Sequence, residues 1–146
     1  MKGFGFGRQV RNGTLSAPIG PYSPVVRAGP WLVTSGQLGL VPSVPDGSAG
    51  DDPSPLPAPS LISGGVAAQL TQALSNGEGW LRREGATLRD VIKTTVFITD
   101  MDDYAAVNEA YSAFFGDHRP ARSVIAVVAL PMGALVEVEL WAYTPS

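Results

Sequence analysis

A single arginine inside an otherwise apolar strand signal constrains this chain most. Pro120-Ala121-Arg122-Ser123 opens a segment in which Val124, Ile125, Val127, Val128 and Leu130 read as buried strand, and Glu137 follows fifteen residues after the arginine. A guanidinium stays charged at any accessible pH, and taking it out of water without a partner is costly. Arg122 must therefore keep its head in solvent or meet a carboxylate, on the protein or on a bound ligand. Its planar fork suits the second role.

The chain has 146 residues, enough for one domain (1–146) with a single core. Hydrophobic residues make up 45% and charged residues 16%, a thinly charged surface for which burial by self-association is expected. A net charge of -3 with no lysine or arginine cluster argues against a nucleic-acid footprint. The absence of cysteine removes disulfides, thiolate nucleophiles and Cys-based zinc or iron–sulfur sites. His118, the one histidine, sits between Asp117 and Arg119 in a predicted surface loop, so a His-rich metal site is not expected. Met1 to Val10 has only Lys2 and Arg8 as charges and no apolar signal core, and no segment reaches the length of a membrane span. No membrane partner is expected, and cytoplasmic residence is the expectation.

Along the chain, Phe4–Val10 reads as a short strand, followed by a turn at Arg11-Asn12-Gly13. Ile19-Gly20-Pro21-Tyr22 leads into a strand over Ser23–Arg27, and Gly29-Pro30 turns it into a second over Trp31–Ser35, a predicted hairpin. Residues 42–63 hold six of the 13 prolines with many Gly, Ser and Asp, and no period; they read as a long exposed loop, a surface insertion or a lid. Val66–Glu84 has helical period, with Val66, Leu70, Ala73, Leu74, Trp80 and Leu81 on one face. Gly77 falls on that stripe, and a bulky neighbour, Trp80 or a strand residue, is expected to fill the gap.

Asp90–Thr99 is a strong strand signal, Asp100–Asp103 resembles a helix cap, and Ala105, Val107, Ala110, Tyr111, Phe114 and Phe115 trace a second helix ended by Gly116. Strands follow from about Arg122 to Leu130 and Leu135 to Tyr143, joined by Pro131-Met132-Gly133. The order β-β-β-α-β-α-β-β predicts an α+β layer, two helices on one face of a mixed sheet. Glu137 and Glu139 share a strand face with Trp141 and Tyr143, opposite Val136, Val138 and Leu140. Acids among large aromatics suit a subunit interface that contains a polar pocket.

Taken in order, Gly20-Pro21-Tyr22-Ser23, Thr34-Ser35-Gly36-Gln37, Asp90–Asp100, Val107-Asn108 with Tyr111 and Phe114-Phe115, Pro120-Ala121-Arg122-Ser123, Leu130-Pro131 and Val136-Glu137-Val138-Glu139 resemble the reactive intermediate deaminases, the Rid or YjgF-like proteins, across roughly residues 16–143. The resemblance implies a homotrimer of chorismate-mutase-like (bacillary type) fold with clefts between subunits. It also implies hydrolytic deamination of 2-imino or 2-enamino acids, such as 2-aminoacrylate, to 2-keto acids and ammonia without metal or organic cofactor. By the same resemblance Arg122 grips the substrate carboxylate and Glu137 orients or activates water. Tyr22, Ser35, Gly36 and Asn108 line the pocket. Val124 stands where cysteine is frequent in that family, the 42–63 loop is longer than usual there, and Gly77 and Gly79 replace more helix-prone residues.

The residues are chemically consistent with that role. An imine carbon is already electrophilic, so a bidentate Arg122–carboxylate pair can hold it while Glu137 takes a proton from attacking water. Burial of Glu137 is expected to raise its pKa and a nearby Arg122 to lower it. Tyr22 and a backbone N–H near Gly36 are further orienting groups. The alternatives are a non-catalytic small-ligand binding or regulatory module of the same fold, or a specialised biosynthetic imine hydrolase.

Overall fold

In the computed structural model, which describes residues 15, 17–41 and 58–145, the period-two and period-3.6 segments become a five-strand path with two helices laid across it. The strand expected at Phe4–Val10 and residues 42–57 of the expected loop lie outside the described residues. β1 (Val25–Ala28) and β2 (Trp31–Thr34) form the predicted hairpin, with Ala28 paired to Trp31. Its two-residue turn needs a positive φ at the first position, which Gly29 supplies at 60°. β3 (Gln37–Leu38) and β4 (Leu40–Val41) follow, and β4 pairs antiparallel with β5 (Ser60–Leu61). The far end of the expected loop is therefore ordered as strand, because Leu61 closes over a small cluster of Leu38, Leu40 and Ala134.

Helix α1 (Gly65–Arg83) ends in a left-handed glycine: Gly85 has φ 83°, its N–H donates to the Arg82 carbonyl, and the Ala86 N–H donates to that of Leu81. β6 (Val91–Ile98) runs into a single turn capped by Asp100, whose Oδ1 accepts from the Asp102 N–H at 2.9 Å. Helix α2 (Tyr104–Phe115) then returns the chain to β7 (Ala121–Ala126), and β8 (Val136–Tyr143) ends the fold.

The strand order is β1-β2-β8-β6-β7, with β3 also paired to β8. β6 and β7 are parallel across the α2 crossover and every other pairing is antiparallel, so the sheet is mixed. One face of the sheet packs under both helices. Leu32, Val91, Val96, Ile98, Val136, Val138, Leu140 and Ala142 from the strands meet Leu70, Leu74, Leu81, Val107 and Phe115 from the helices. Each fully buried aliphatic side chain there contributes about 1.5–3 kcal/mol relative to exposure. Gly77 lies against β8, where an added Cβ would run into Leu140 Cδ1; the strand leucine, and not Trp80, fills the gap in the helix stripe.

Among the described residues no helix packs on the other face, which exposes Val26, Trp31, Ile125, Trp141 and Tyr143. β7 corrects the expectation of a buried strand. It is the sheet edge, it stops at Ala126, and Ile125 is 45% exposed, because only its helix-facing side chains have anything to pack against.

Candidate functional site

Strand register decides which of the expected residues meet. Arg122 pairs with Thr94 on β6, and Thr94 pairs with Leu140 on β8. Those three side chains share the helix-covered face. There the half-buried Arg122 donates from Nη2 to Asn108 Oδ1 at 2.7 Å and lies 3.4 Å from the Tyr104 hydroxyl. Its guanidinium carbon stands 4.9 Å from the Tyr111 ring centre and 5.8 Å from that of Tyr104. Among the described residues no carboxylate comes within ion-pair distance of Arg122. The arginine is held by an amide and two aromatic rings, neutral partners that leave its charge uncompensated.

Tyr104, Asn108 and Tyr111 are spaced i, i+4 and i+7, so one stripe of α2 faces the arginine. Tyr111 is buried, and its hydroxyl shares a 2.8 Å hydrogen bond with Thr94. Burial raises the Tyr111 pKa, opposed by the Thr94 hydrogen bond and the Arg122 and Arg119 charges, so the phenol is neutral near pH 7. Tyr104, Tyr111 and Thr94 were not singled out as site residues in the sequence, although the stripe they complete with Asn108 was present in its spacing. Val124, in the position where the family often has cysteine, faces the same side as Arg122 and packs against the main core.

Glu137 belongs to the second group. It pairs with Phe97, and Phe97 with Ile125, which places its side chain on the face without helices. Val33 and Gln37 are four positions apart along the chain, but their partners Trp141 and Val138 are three apart. The extra residue is a bulge at Thr34–Gly36 that bends the backbone over β8. Gly36 sits directly against the glutamate, and an added Cβ would fall 2.7 Å from Glu137 Cδ. Only glycine permits that approach.

The Ser35 hydroxyl donates to the Ser23 carbonyl at 2.7 Å, and its N–H donates to the Pro24 carbonyl, tying down the turn that presents Tyr22. Tyr22 and Gly36 line one small cavity of about 40 Å³ with Ile19, Pro24 and Trp80. Burial, then the Glu139 charge two residues on, raises the Glu137 pKa above its usual 4.5. The lowering expected from Arg122 does not operate within one subunit, because the two residues face opposite sides of the sheet.

Tyr22 lines a cavity with Gly36 and Ser35 is tied to Ser23, while the two charged residues stand apart: Arg122 with Asn108, and Glu137 against Gly36. Two strand spacings of about 5 Å and three residue rises of about 3.3 Å put their backbones roughly 14 Å apart. His118, read as a surface loop residue, is half-buried, and its Nε2 lies 2.8 Å from the Val91 carbonyl oxygen. Among the described residues no group of three or more His, Cys, Asp or Glu side chains is placed to hold a metal ion, and no helix is long and apolar enough to cross a membrane.

Two helices over one face of this mixed sheet, with an uncompensated arginine at its edge and a glutamate beneath a glycine bulge, define an α+β protein of the YjgF-like type. The chain belongs to the family described as endoribonuclease L-PSP, whose model matches residues 14–144. It is 39% identical over 128 residues to the 2-iminobutanoate/2-iminopropanoate deaminase of Mus musculus, covering 86% of this chain and 84% of that protein. It is 36% identical over 126 residues to a RutC family protein of Pyrococcus horikoshii, covering 86% and 89%. The crystal structure of the YjgF gene product of E. coli superposes with a TM-score of 0.72 at 34% identity, covering 94% of this chain and 98% of that one.

Proposed function

We propose that this protein hydrolyses 2-imino or 2-enamino acids to 2-keto acids and ammonia, in clefts where the subunits of a homotrimer meet. The observation that carries the reading is Arg122 itself: a half-buried guanidinium, oriented by Asn108, with its charge unmatched. An anionic small molecule supplies the missing carboxylate, and the fork fixes it in two dimensions. Glu137, more than a side chain's reach away in the same subunit, acts on substrate held by the Arg122 of a neighbour. The exposed aromatic face of the sheet supplies the surface for such an assembly.

In this reaction the Glu137 carboxylate accepts a proton from water as its oxygen bonds to the imine carbon, giving a tetrahedral carbinolamine. The imine nitrogen is protonated at the outset, so the proton on Glu137 passes to the carbinolamine nitrogen. The C–N bond breaks as the hydroxyl yields its own proton to the Glu137 carboxylate and becomes the keto oxygen; ammonia takes that proton as it leaves and the carboxylate is restored. The Tyr22 hydroxyl and the backbone at Gly36 orient the water and the imine. No group beyond these side chains is needed, because the carbon is electrophilic from the start. A net charge of -3 sets this reading above ribonucleic-acid cleavage, which a family name suggests.

The deciding experiment generates imino acids in situ with an amino-acid oxidase and follows their decay. Wild-type protein is expected to accelerate decay, and Arg122→Ala to lose about 100-fold or more in kcat/KM. Full activity in a well-folded Arg122→Ala protein overturns the reading.

A further inference from the structure

We infer that Tyr111, pinned by Thr94, is a positioning residue that sets the orientation of the Arg122 guanidinium and thereby the affinity for a carboxylate ligand; this rests on the reading of Arg122 as the carboxylate grip. Thr94 is fully buried on a strand whose other helix-facing positions are Val91, Val96 and Ile98. A buried hydroxyl at such a position needs a partner, and the Tyr111 hydroxyl provides it at 2.8 Å. Thr94 is also the cross-strand neighbour of Arg122, so the strand that carries the tether is the one beside the arginine.

The tether fixes the tilt of the Tyr111 ring, and Phe115 braces the ring from the next turn, with centroids 4.7 Å apart. The ring face then lies 4.9 Å from the guanidinium carbon, within the range where a ring quadrupole attracts a cation. Asn108 accepts from one Nη atom at 2.7 Å. With the Tyr111 ring at the face, and Asn108 and the Tyr104 hydroxyl both at Nη2, Nε and the other Nη have no hydrogen-bond partner among the described residues. The planar group is thereby held to one orientation, and a carboxylate that docks on it does not have to order it. Ordering a long side chain at the moment of binding costs affinity, so preorganisation shows in binding before it shows in turnover.

The experiment measures binding of 2-oxobutanoate by calorimetry, imine turnover, and the Arg122 Nε–Hε NMR signal in Tyr111→Leu, Tyr111→Phe, Thr94→Val and Arg122→Ala proteins. Tyr111→Leu is expected to weaken 2-oxobutanoate about fivefold to tenfold and raise KM alike, with kcat changed by less than about threefold. It should also remove the ring-current shift of the Arg122 signal. Tyr111→Phe keeps the ring but loses the tether, as does the nearly isosteric Thr94→Val, so both are expected to fall between wild type and Tyr111→Leu with a broadened Arg122 signal. Unchanged binding together with an unchanged Arg122 signal in Thr94→Val, or in a folded Tyr111→Leu, overturns the inference. If Arg122→Ala itself binds 2-oxobutanoate as wild type does, the carboxylate-grip reading fails instead. Loss of binding in Arg122→Ala with none in the Tyr111 and Thr94 variants sinks the positioning role alone.

Discussion

Arg122 and Glu137 lie on opposite faces of one sheet, two strands and three register positions apart. Neither can serve a substrate held by the other in the same subunit. If both act on one molecule, each cleft takes its arginine from one chain and its glutamate from another.

Complementation follows from that geometry. Arg122→Ala and Glu137→Gln chains should each be inactive alone, yet recover activity when coexpressed. Random assembly into trimers places one site with both native groups in every mixed trimer, which gives about a quarter of wild-type activity. Mixed trimers, verified by mass spectrometry, that show no recovery count against a shared cleft.

Gly36→Ala tests the close approach beneath the bulge. The new methyl meets the end of a flexible side chain and not backbone, so the fold should survive while the Glu137 carboxylate is pushed aside. A displacement of about 1 Å at the reacting group is expected to lower kcat/KM about 100-fold, with the circular dichroism spectrum unchanged. Near-normal turnover in this variant removes Glu137 from the chemistry or the glycine from its support.

Gly77→Ala sets two effects against each other. Alanine favours a helix interior over glycine by about 1 kcal/mol. Against this, the methyl must displace Leu140, which is fully buried, and overpacking of that kind costs about 1–3 kcal/mol. Urea denaturation should show a net loss of stability, relieved in the double variant with Leu140→Val. A stabilised single variant would show that α1 has room to move off the sheet.

The pH profile reports on the paired acids. A base must be ionised, so kcat/KM should fall along an acidic limb as pH drops through the Glu137 pKa, which burial and the Glu139 charge raise within the subunit. Removing the like charge in Glu139→Gln makes Glu137 easier to ionise, and the limb should move to lower pH. A limb that stays in place or rises assigns it to another group.

Much of this architecture was legible locally. The β1–β2 hairpin, both helices, β6 and β8 each carry their own period and stop signal, such as Gly29 at the turn and Gly116 after α2. The β4–β5 pairing was not, since a two-residue ladder closing across residues 42–59 has no period to read. Nor was the exposure of Ile125, because an apolar side chain looks the same whether its strand is central or at the edge. Arg122 and Glu137 stood out as charges in apolar strands. Thr94 and Tyr111 looked like ordinary strand and helix residues until the fold brought them to the arginine.

Alone, the sequence determined the elements, the alternation that gives Glu137 and Glu139 a common face, and the i, i+4, i+7 stripe of Tyr104, Asn108 and Tyr111, because backbone periodicity is a local property. Tertiary structure decided what each face meets. Parallel register put Thr94 beside Arg122, the bulge at Thr34–Gly36 laid glycine on Glu137, and the sheet itself separated the two charges. Register depends on hydrogen bonds between segments distant along the chain, and no local pattern encodes it.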